Sequence, residues 1–146
     1  MDNSFLLFSH SLLRYLVLLS VAYAGFTHLI GYLRGIPILT VERTGSIVAL
    51  ALCHIQLGLG LTLYITRYST FADMAQHYQQ FWKYEHISIM IIAIALVTLG
   101  RFLSKRSFEE PAKQLRVGAF YLLALALMLW AIPWPSTTIG HGRPWL

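Results

Sequence analysis

The sequence predicts an all-α integral membrane protein, a four-helix bundle whose helices run up-down-up-down. Of its 146 residues, 57% are hydrophobic and only 12% are charged, whereas soluble domains carry about 25% charged residues. The mean hydropathy is +0.61. Four apolar stretches approach or exceed the length of about 20 residues that a helix needs to cross the hydrocarbon core of a bilayer. We therefore expect a single transmembrane domain covering residues 1–146, with the lipid bilayer as its first partner.

Each predicted helix follows from one apolar stretch and the signals at its ends. In order, the helices cover residues of about 5–33, 44–66, 81–103 and 112–132. Gly35 and Pro37 end the first helix and Pro133 ends the fourth, because glycine and proline are typical helix-ending residues. The regular spacing of the four stretches favours an up-and-down bundle. The polar segment 67–80 is expected to form a short helix at the membrane interface.

The cationic residues indicate how the bundle is oriented. A net charge of +5 would suggest nucleic-acid binding in a soluble protein, but here the cations cluster at helix ends, so we exclude it. One side holds seven of them, Arg34, Arg43, Arg101, Lys105, Arg106, Lys113 and Arg116, and the other holds four, Arg14, Arg67, Lys83 and Arg143. The side with more cations is usually cytoplasmic. Both termini are therefore predicted to face outward.

Several ionisable residues fall inside or at the edge of the apolar stretches. They are His10, Arg14, His28, His54, Glu85 and His86. A charged centre in a membrane helix costs about 2.5 to 3.5 kcal/mol on insertion scales, so such residues usually face the bundle interior, pair, or bind a ligand. His10, His54 and His86 come from three consecutive helices. They are the candidates for a cofactor site, whereas His28 is interpreted as an interfacial histidine.

The depth of the three histidines favours one pair. At 1.5 Å per residue, His10 lies about 13 Å and His86 about 10 Å from the middle of their helices toward the outer face, while His54 lies near the midplane. Their helices, the first and third, are diagonal in a sequentially connected bundle, which leaves room for a flat macrocycle. We therefore expect a haem b whose iron is ligated by His10 and His86, with His54 as the reserve ligand.

Three charged residues could support this site. Arg14 and Lys83 each lie one helical turn from a candidate ligand, so either could pair with a haem propionate. Glu85 could orient a histidine through its second ring nitrogen. The alternative is an ion pair between Arg14 and Glu85 with no cofactor.

The sequence also resembles a group of small four-span bacterial membrane proteins known as cytochrome b-like. The resemblance is carried by HSLLRYLVLL, HIQLGLGLTLY, FWKYEHISIMIIAI with the GR that follows it, IPWP and GRPW, and it covers nearly the whole chain. It implies haem b, electron transfer and a location in the bacterial cytoplasmic membrane. The shared motif positions fall here on His10, Arg14, His54, Gln56, Trp82, Glu85, His86, Arg101 and Arg143. His28 is not one of them.

Two functions from different classes follow from these observations. The first is a haem-b electron-transfer subunit of a respiratory membrane complex, with a quinone as an electron-exchange partner. The second is a haem-free accessory subunit whose polar interior holds other membrane subunits. The sequence contains no dinucleotide-binding loop, metalloprotease pair or nucleophile elbow. We therefore expect a subunit of an oxidoreductase complex rather than a stand-alone enzyme.

Overall fold

The structure is a computed structural model that describes residues 4–141, and within that range it is all-helical, with no β-strand. The α-helices are α1 (Ser4–Arg34), α2 (Thr40–Arg67), α3 (Gln76–Gln80), α4 (His86–Arg106) and α5 (Glu110–Ala131). A 3₁₀ helix, Ser69–Asp73, follows α2, and a π-helical turn, Phe81–Glu85, joins α3 to α4. The all-α prediction is confirmed.

Four spans are long and apolar enough to cross a membrane: α1, α2, the continuous segment Gln76–Arg106, and α5. Large apolar side chains stand on the outside of the packed helices, including Phe5 at 79%, Ile65 at 73% and Trp130 at 75% exposure. Exposed apolar surface of this extent suits contact with lipid rather than water. A multi-pass membrane protein, as predicted, is the class that this architecture indicates.

Local interactions determine where the helices begin and end, and the sequence predicted some of these positions. Gly35 ends α1 in a left-handed conformation with φ of 63°, and the N–H of Ile36 donates to the carbonyl of Gly31 at 3.1 Å. This is the predicted glycine stop. The second helix begins at Thr40, four residues earlier than predicted. There the Glu42 carboxylate accepts a hydrogen bond from the N–H of Leu39 at 2.9 Å, which stabilises the helix start.

The packing order of the helices places α1 and α4 across the bundle from each other. Helix α1 packs against α2 and α5, and α5 packs against α4. Helices α2 and α4 also touch, but much more loosely. The shared core is made of small and medium apolar side chains, including Val21, Ala24, Ala49 and Val97. The loosely packed side between α2 and α4 gives the site its space.

One half of the bundle is closely packed, and we call it the loop end. It contains the end of α1, the start of α2 and the start of α5. A Cβ atom on Gly118 would stand only 3.0 Å from the backbone nitrogen of Leu29, so glycine lets α1 and α5 approach closely. The buried side chains here are hydrogen-bonded: Gln114 Nε2 donates to the Ile36 carbonyl at 2.8 Å, and the Tyr121 hydroxyl donates to the Ser46 carbonyl at 2.8 Å.

Candidate functional site

A cavity of about 400 Å³ opens at the opposite end of the bundle, which we call the cavity end. Its walls come from all four spans, and most of the wall residues are apolar. Its principal polar and small residues are His10, Arg14, Gln56, Gly60, Trp82 and His86. A mostly apolar cavity with a few convergent polar groups is the usual form of a ligand or cofactor site.

His10 reaches the cavity from α1 and packs on a glycine of α2. A Cβ atom on Gly60 would stand 3.1 Å from His10 Cε1, so the missing side chain leaves room for the imidazole ring. The Nδ1 atom of His10 is buried and has no hydrogen-bond partner among the residues described. Buried polar atoms are normally paired. His10 Nδ1 departs from this rule.

Gln56 links α2 to the backbone of α1 beside His10. Its Nε2 donates to the main-chain carbonyl of His10 at 2.9 Å. Its Oε1 is buried and, within residues 4–141, accepts no hydrogen bond. Gln56 lies four residues before Gly60 and thus on the same face of α2. The two buried unpaired atoms, one on His10 and one on Gln56, thus belong to residues that line the same part of the cavity.

His86 reaches the cavity at the start of α4, and α5 fixes its ring. The Nδ1 atom donates to the carbonyl of Ala131 at 2.9 Å. Because a carbonyl oxygen can only accept, Nδ1 carries the proton and Nε2 carries the lone pair. The ring of Trp82 lies 5.5 Å from the His86 ring, centroid to centroid. His86 is therefore held in the tautomer in which imidazole ligates a metal through Nε2.

The π-helical turn Phe81–Glu85 directly precedes His86. Hydrogen bonds from i to i+5 are rare, and single π turns within α-helices occur frequently at functional sites. The hydroxyl of Tyr64, near the end of α2, donates to the Lys83 carbonyl in this turn at 3.2 Å. Trp82, within the turn, lines the cavity. The irregular turn thus supplies one wall residue and is tied to α2.

Two cations lie on the cavity wall. The guanidinium of Arg14 is 4.8 Å from the Tyr15 ring centroid and 5.8 Å from that of Trp134, and its Nη2 donates to the Tyr15 hydroxyl at 3.0 Å. Aromatic faces attract such a cation. Arg67, from the last turn of α2, also lines the cavity. Positive charge on an apolar wall suits a ligand with acidic groups.

The remaining predicted site residues lie elsewhere. His54 is on the exposed surface of α2, where its Nδ1 donates to the Leu50 carbonyl at 2.9 Å. The Nζ of Lys83 stands 4.9 Å from the Tyr68 ring centroid, and Glu85 is exposed. None of these three predicted residues is among the residues that line the cavity. The structure thus brings together His10, Arg14 and His86 but not the other three.

Some of the positions shared with the cytochrome b-like group line the cavity, and the others do not. Five line the cavity, namely His10, Arg14, Gln56, Trp82 and His86. Arg101 lies near the end of α4 and does not line the cavity, and Arg143 falls outside the described residues. His28, which the resemblance did not include, is buried in α1 at 2% exposure, and its Nδ1 donates to the Ala24 carbonyl at 2.9 Å.

Sequence reasoning missed two contributors. Arg67 was assigned to a loop because the predicted second helix ended at residue 66, but α2 includes it. The Ala131 carbonyl holds His86, and a backbone acceptor has no residue signature that a sequence pattern could reveal. The residues described contain no group of three or more His, Cys, Asp or Glu side chains that could hold a metal ion.

Comparisons of the chain with protein-family models, with curated proteins and with solved structures found no match.

Proposed function

We propose that this protein is a b-type cytochrome-like subunit that carries electrons within a membrane complex, and that His10 and His86 are the residues that would hold its haem. The main support is that two imidazoles, on helices that face each other across the bundle, line one cavity. A haem needs only two protein ligands because the porphyrin supplies the other four nitrogens. The small number of ligating side chains thus fits this cofactor.

The cavity residues fit a haem in further respects. The His86 tautomer leaves Nε2 free to ligate, and the missing side chain at Gly60 gives the His10 ring its place. The walls are mostly apolar, as the interior of a cofactor-binding bundle usually is. When bound, the haem would supply reversible one-electron chemistry at its iron. The protein would hold the ring, exclude water and set the basicity of both imidazoles.

The cations on the wall suit the two propionates of the cofactor. Arg14 was predicted for this role, and its position on the cavity wall supports it. Lys83 was the other predicted partner, but its ammonium stands over the Tyr68 ring instead. Arg67 lines the cavity and is the better second partner. Arginine also pairs with carboxylates in a bidentate geometry that lysine lacks.

A quinone is the electron-exchange partner that we propose. The support is the loosely packed side between α2 and α4, where Leu57, Leu61, Ile87 and Met90 line the cavity. An isoprenoid tail could enter from the lipid between such side chains. The connections between the four spans are short, which leaves little surface for a soluble electron donor. Other membrane subunits of a respiratory complex are therefore the expected partners.

The proposed arrangement in the membrane is up-down-up-down, in a bacterial cytoplasmic membrane, with both termini outward. It is supported by the excess of cations on one side, seven against four, since cation-rich loops are usually cytoplasmic. A reporter enzyme that works only outside the cytoplasm should be active when it is fused after Leu146. Activity of a reporter that works only in the cytoplasm would reverse the orientation.

Absorption spectra of the purified protein test the haem proposal. The parent protein should show split reduced-haem bands after addition of dithionite. His10→Ala and His86→Ala should each abolish them, because each removes an axial ligand. The matched control is His54→Ala, which deletes an exposed histidine and should leave the bands intact.

Two outcomes would overturn the assignment. Loss of the bands in His54→Ala but not in His10→Ala would mean that different histidines ligate. A parent protein without haem bands, after expression with ample haem, would favour the alternative function. The cavity residues would then form the polar interior of a haem-free accessory subunit.

A further inference from the structure

We infer that Gln56 is a positioning residue for His10, whose Nδ1–H it holds through a single bridging water, while Nε2 of His10 is kept as the ligating atom. This inference rests on the proposed function. It assigns to Gln56 the part that the Ala131 carbonyl plays for His86. The two histidines would thus be oriented by different means, one by a side chain and the other by the backbone.

The geometry around His10 and Gln56 supports a bridge. The Nε2 atom of Gln56 donates to the His10 main-chain carbonyl at 2.9 Å, which fixes the amide group beside residue 10. The His10 Nδ1 atom lies 3.7 Å from the place that a Cβ atom on Gly60 would take. Gly60 and Gln56 share one face of α2. His10 Nδ1 is therefore turned toward the helix face that carries the Gln56 amide.

The two unpaired atoms have complementary roles in hydrogen bonding, since one donates and the other accepts. His10 Nδ1 and Gln56 Oε1 are both buried, and neither has a hydrogen-bond partner among the described residues. A neutral imidazole that ligates through Nε2 must carry its proton on Nδ1, so this atom needs an acceptor. The amide oxygen needs a donor. One water molecule satisfies both, and buried waters usually bridge polar atoms that would otherwise be unpaired.

Such a contact affects the cofactor as well as the ring orientation. An acceptor on the second ring nitrogen makes the imidazole a stronger electron donor, and this stabilises the oxidised metal. A stronger acceptor at residue 56 should therefore lower the midpoint potential of the haem, and loss of the acceptor should raise it. A carboxylate at residue 56 also lowers the potential through its charge, so the tautomer of His10 is the readout that a residue with only a packing role would leave unchanged.

The chain offers a matched control at the loop end. Gln114 is also a buried glutamine whose Nε2 donates to a backbone carbonyl near the end of α1, that of Ile36 at 2.8 Å. Unlike Gln56, it does not line the cavity. Gln114→Leu removes the same chemical groups as Gln56→Leu but leaves the cavity end unchanged. It separates an effect on the site from a general effect of losing a glutamine bridge.

Redox titration of the purified full-length protein, combined with electron paramagnetic resonance, tests the inference. Gln56→Glu should lower the midpoint potential, Gln56→Leu should raise it, and Gln114→Leu should leave it at the parent value. The ferric resonance signals should shift in the two Gln56 variants only. Gln56→Glu keeps both the size and an acceptor at this position, so it serves if the leucine variant does not fold.

A second measurement uses the haem-free protein. Nitrogen-15 resonance of labelled histidine should show His10 with its proton on Nδ1 in the parent, and a changed tautomer population in Gln56→Leu but not in Gln114→Leu. Parent-like tautomer and potential in both Gln56 variants would overturn the positioning role, even if His10→Ala abolished the haem bands. A parent without haem bands would overturn the proposed function instead, and the tautomer result would still decide whether Gln56 controls His10.

Discussion

The loop end and the cavity end of the bundle contain the same kinds of residues but use them differently. At the loop end, Gly118 lets two helix backbones meet, and the Gln114 amide donates to a neighbouring carbonyl. At the cavity end, Gly60 makes room for an imidazole, and Gln56 keeps one buried amide oxygen unpaired. The loop end thus brings two helices into close contact, whereas the cavity end leaves space between the helices.

The largest effect on stability is expected from Gly118→Ala. Its new methyl would stand 3.0 Å from the backbone nitrogen of Leu29, which cannot move without shifting the whole of α1. Overpacking of this kind costs about 1 to 3 kcal/mol. Gly58→Ala is the control, because nothing lies within 4 Å of its Cβ position. Denaturation of the purified protein in mixed micelles, followed by circular dichroism, compares the two variants. Equal stabilities would mean that α1 and α5 are not closely packed.

A smaller effect is expected from Tyr121→Phe, also at the loop end. The phenol is fully buried, and its hydroxyl donates to the Ser46 carbonyl at 2.8 Å. Hydrogen bonds between helices in membranes contribute about 0.6 kcal/mol on average and about 1.7 kcal/mol at most. The same unfolding measurement should therefore show a modest loss of stability. The absorption spectrum should show no change in haem content. A loss of haem would contradict the separation of the two ends.

The smallest effect on stability is expected from Gly60→Ala. Its methyl would meet only the ring of His10, at 3.1 Å, and a side chain can move more easily than a backbone. Stability should stay within about 0.5 kcal/mol of the parent, as for most substitutions outside special features. The His10 ring, however, must shift, so the haem content measured by absorption should fall. Gly58→Ala again serves as the control, and unchanged haem in Gly60→Ala would mean that His10 does not depend on this glycine.

The sequence was sufficient for the four spans and for the end of the first helix. Apolar length predicted the four spans, and Gly35 marked the end of α1 because its conformation is strained for other residues. His10 and His86 were predicted together because their depths are similar and their helices are diagonal, and regular helix geometry gives depth to within a few ångströms. Both line the cavity. Depth along a helix is readable from a sequence because it depends only on counting residues.

The direction in which a side chain points around its helix was harder to predict. Lys83 was assigned to the haem because it lies three residues before His86, a spacing that shares one face only in a regular α-helix. The π-helical turn breaks that regularity, and the Lys83 ammonium lies over Tyr68 instead. Such a turn depends on how the helix packs, for example on the hydrogen bond from Tyr64 to the Lys83 carbonyl. No residue pattern in FWKYE predicted it.

The π-helical turn also matters for comparing this chain with future relatives. A turn closed from i to i+5 holds one residue more than the α-helical turn it replaces. Removing one residue between Trp82 and Glu85 would restore a regular helix and leave everything upstream in nearly the same orientation relative to His86, because the π-helical turn accommodates its extra residue without rotating the helix before it. Both His86 and Trp82 would then keep their places on the cavity wall, because residues three apart share one face of an α-helix. In an alignment, a single-residue gap here would therefore mark a chain that lacks the π-helical turn but keeps the residues of the cavity wall.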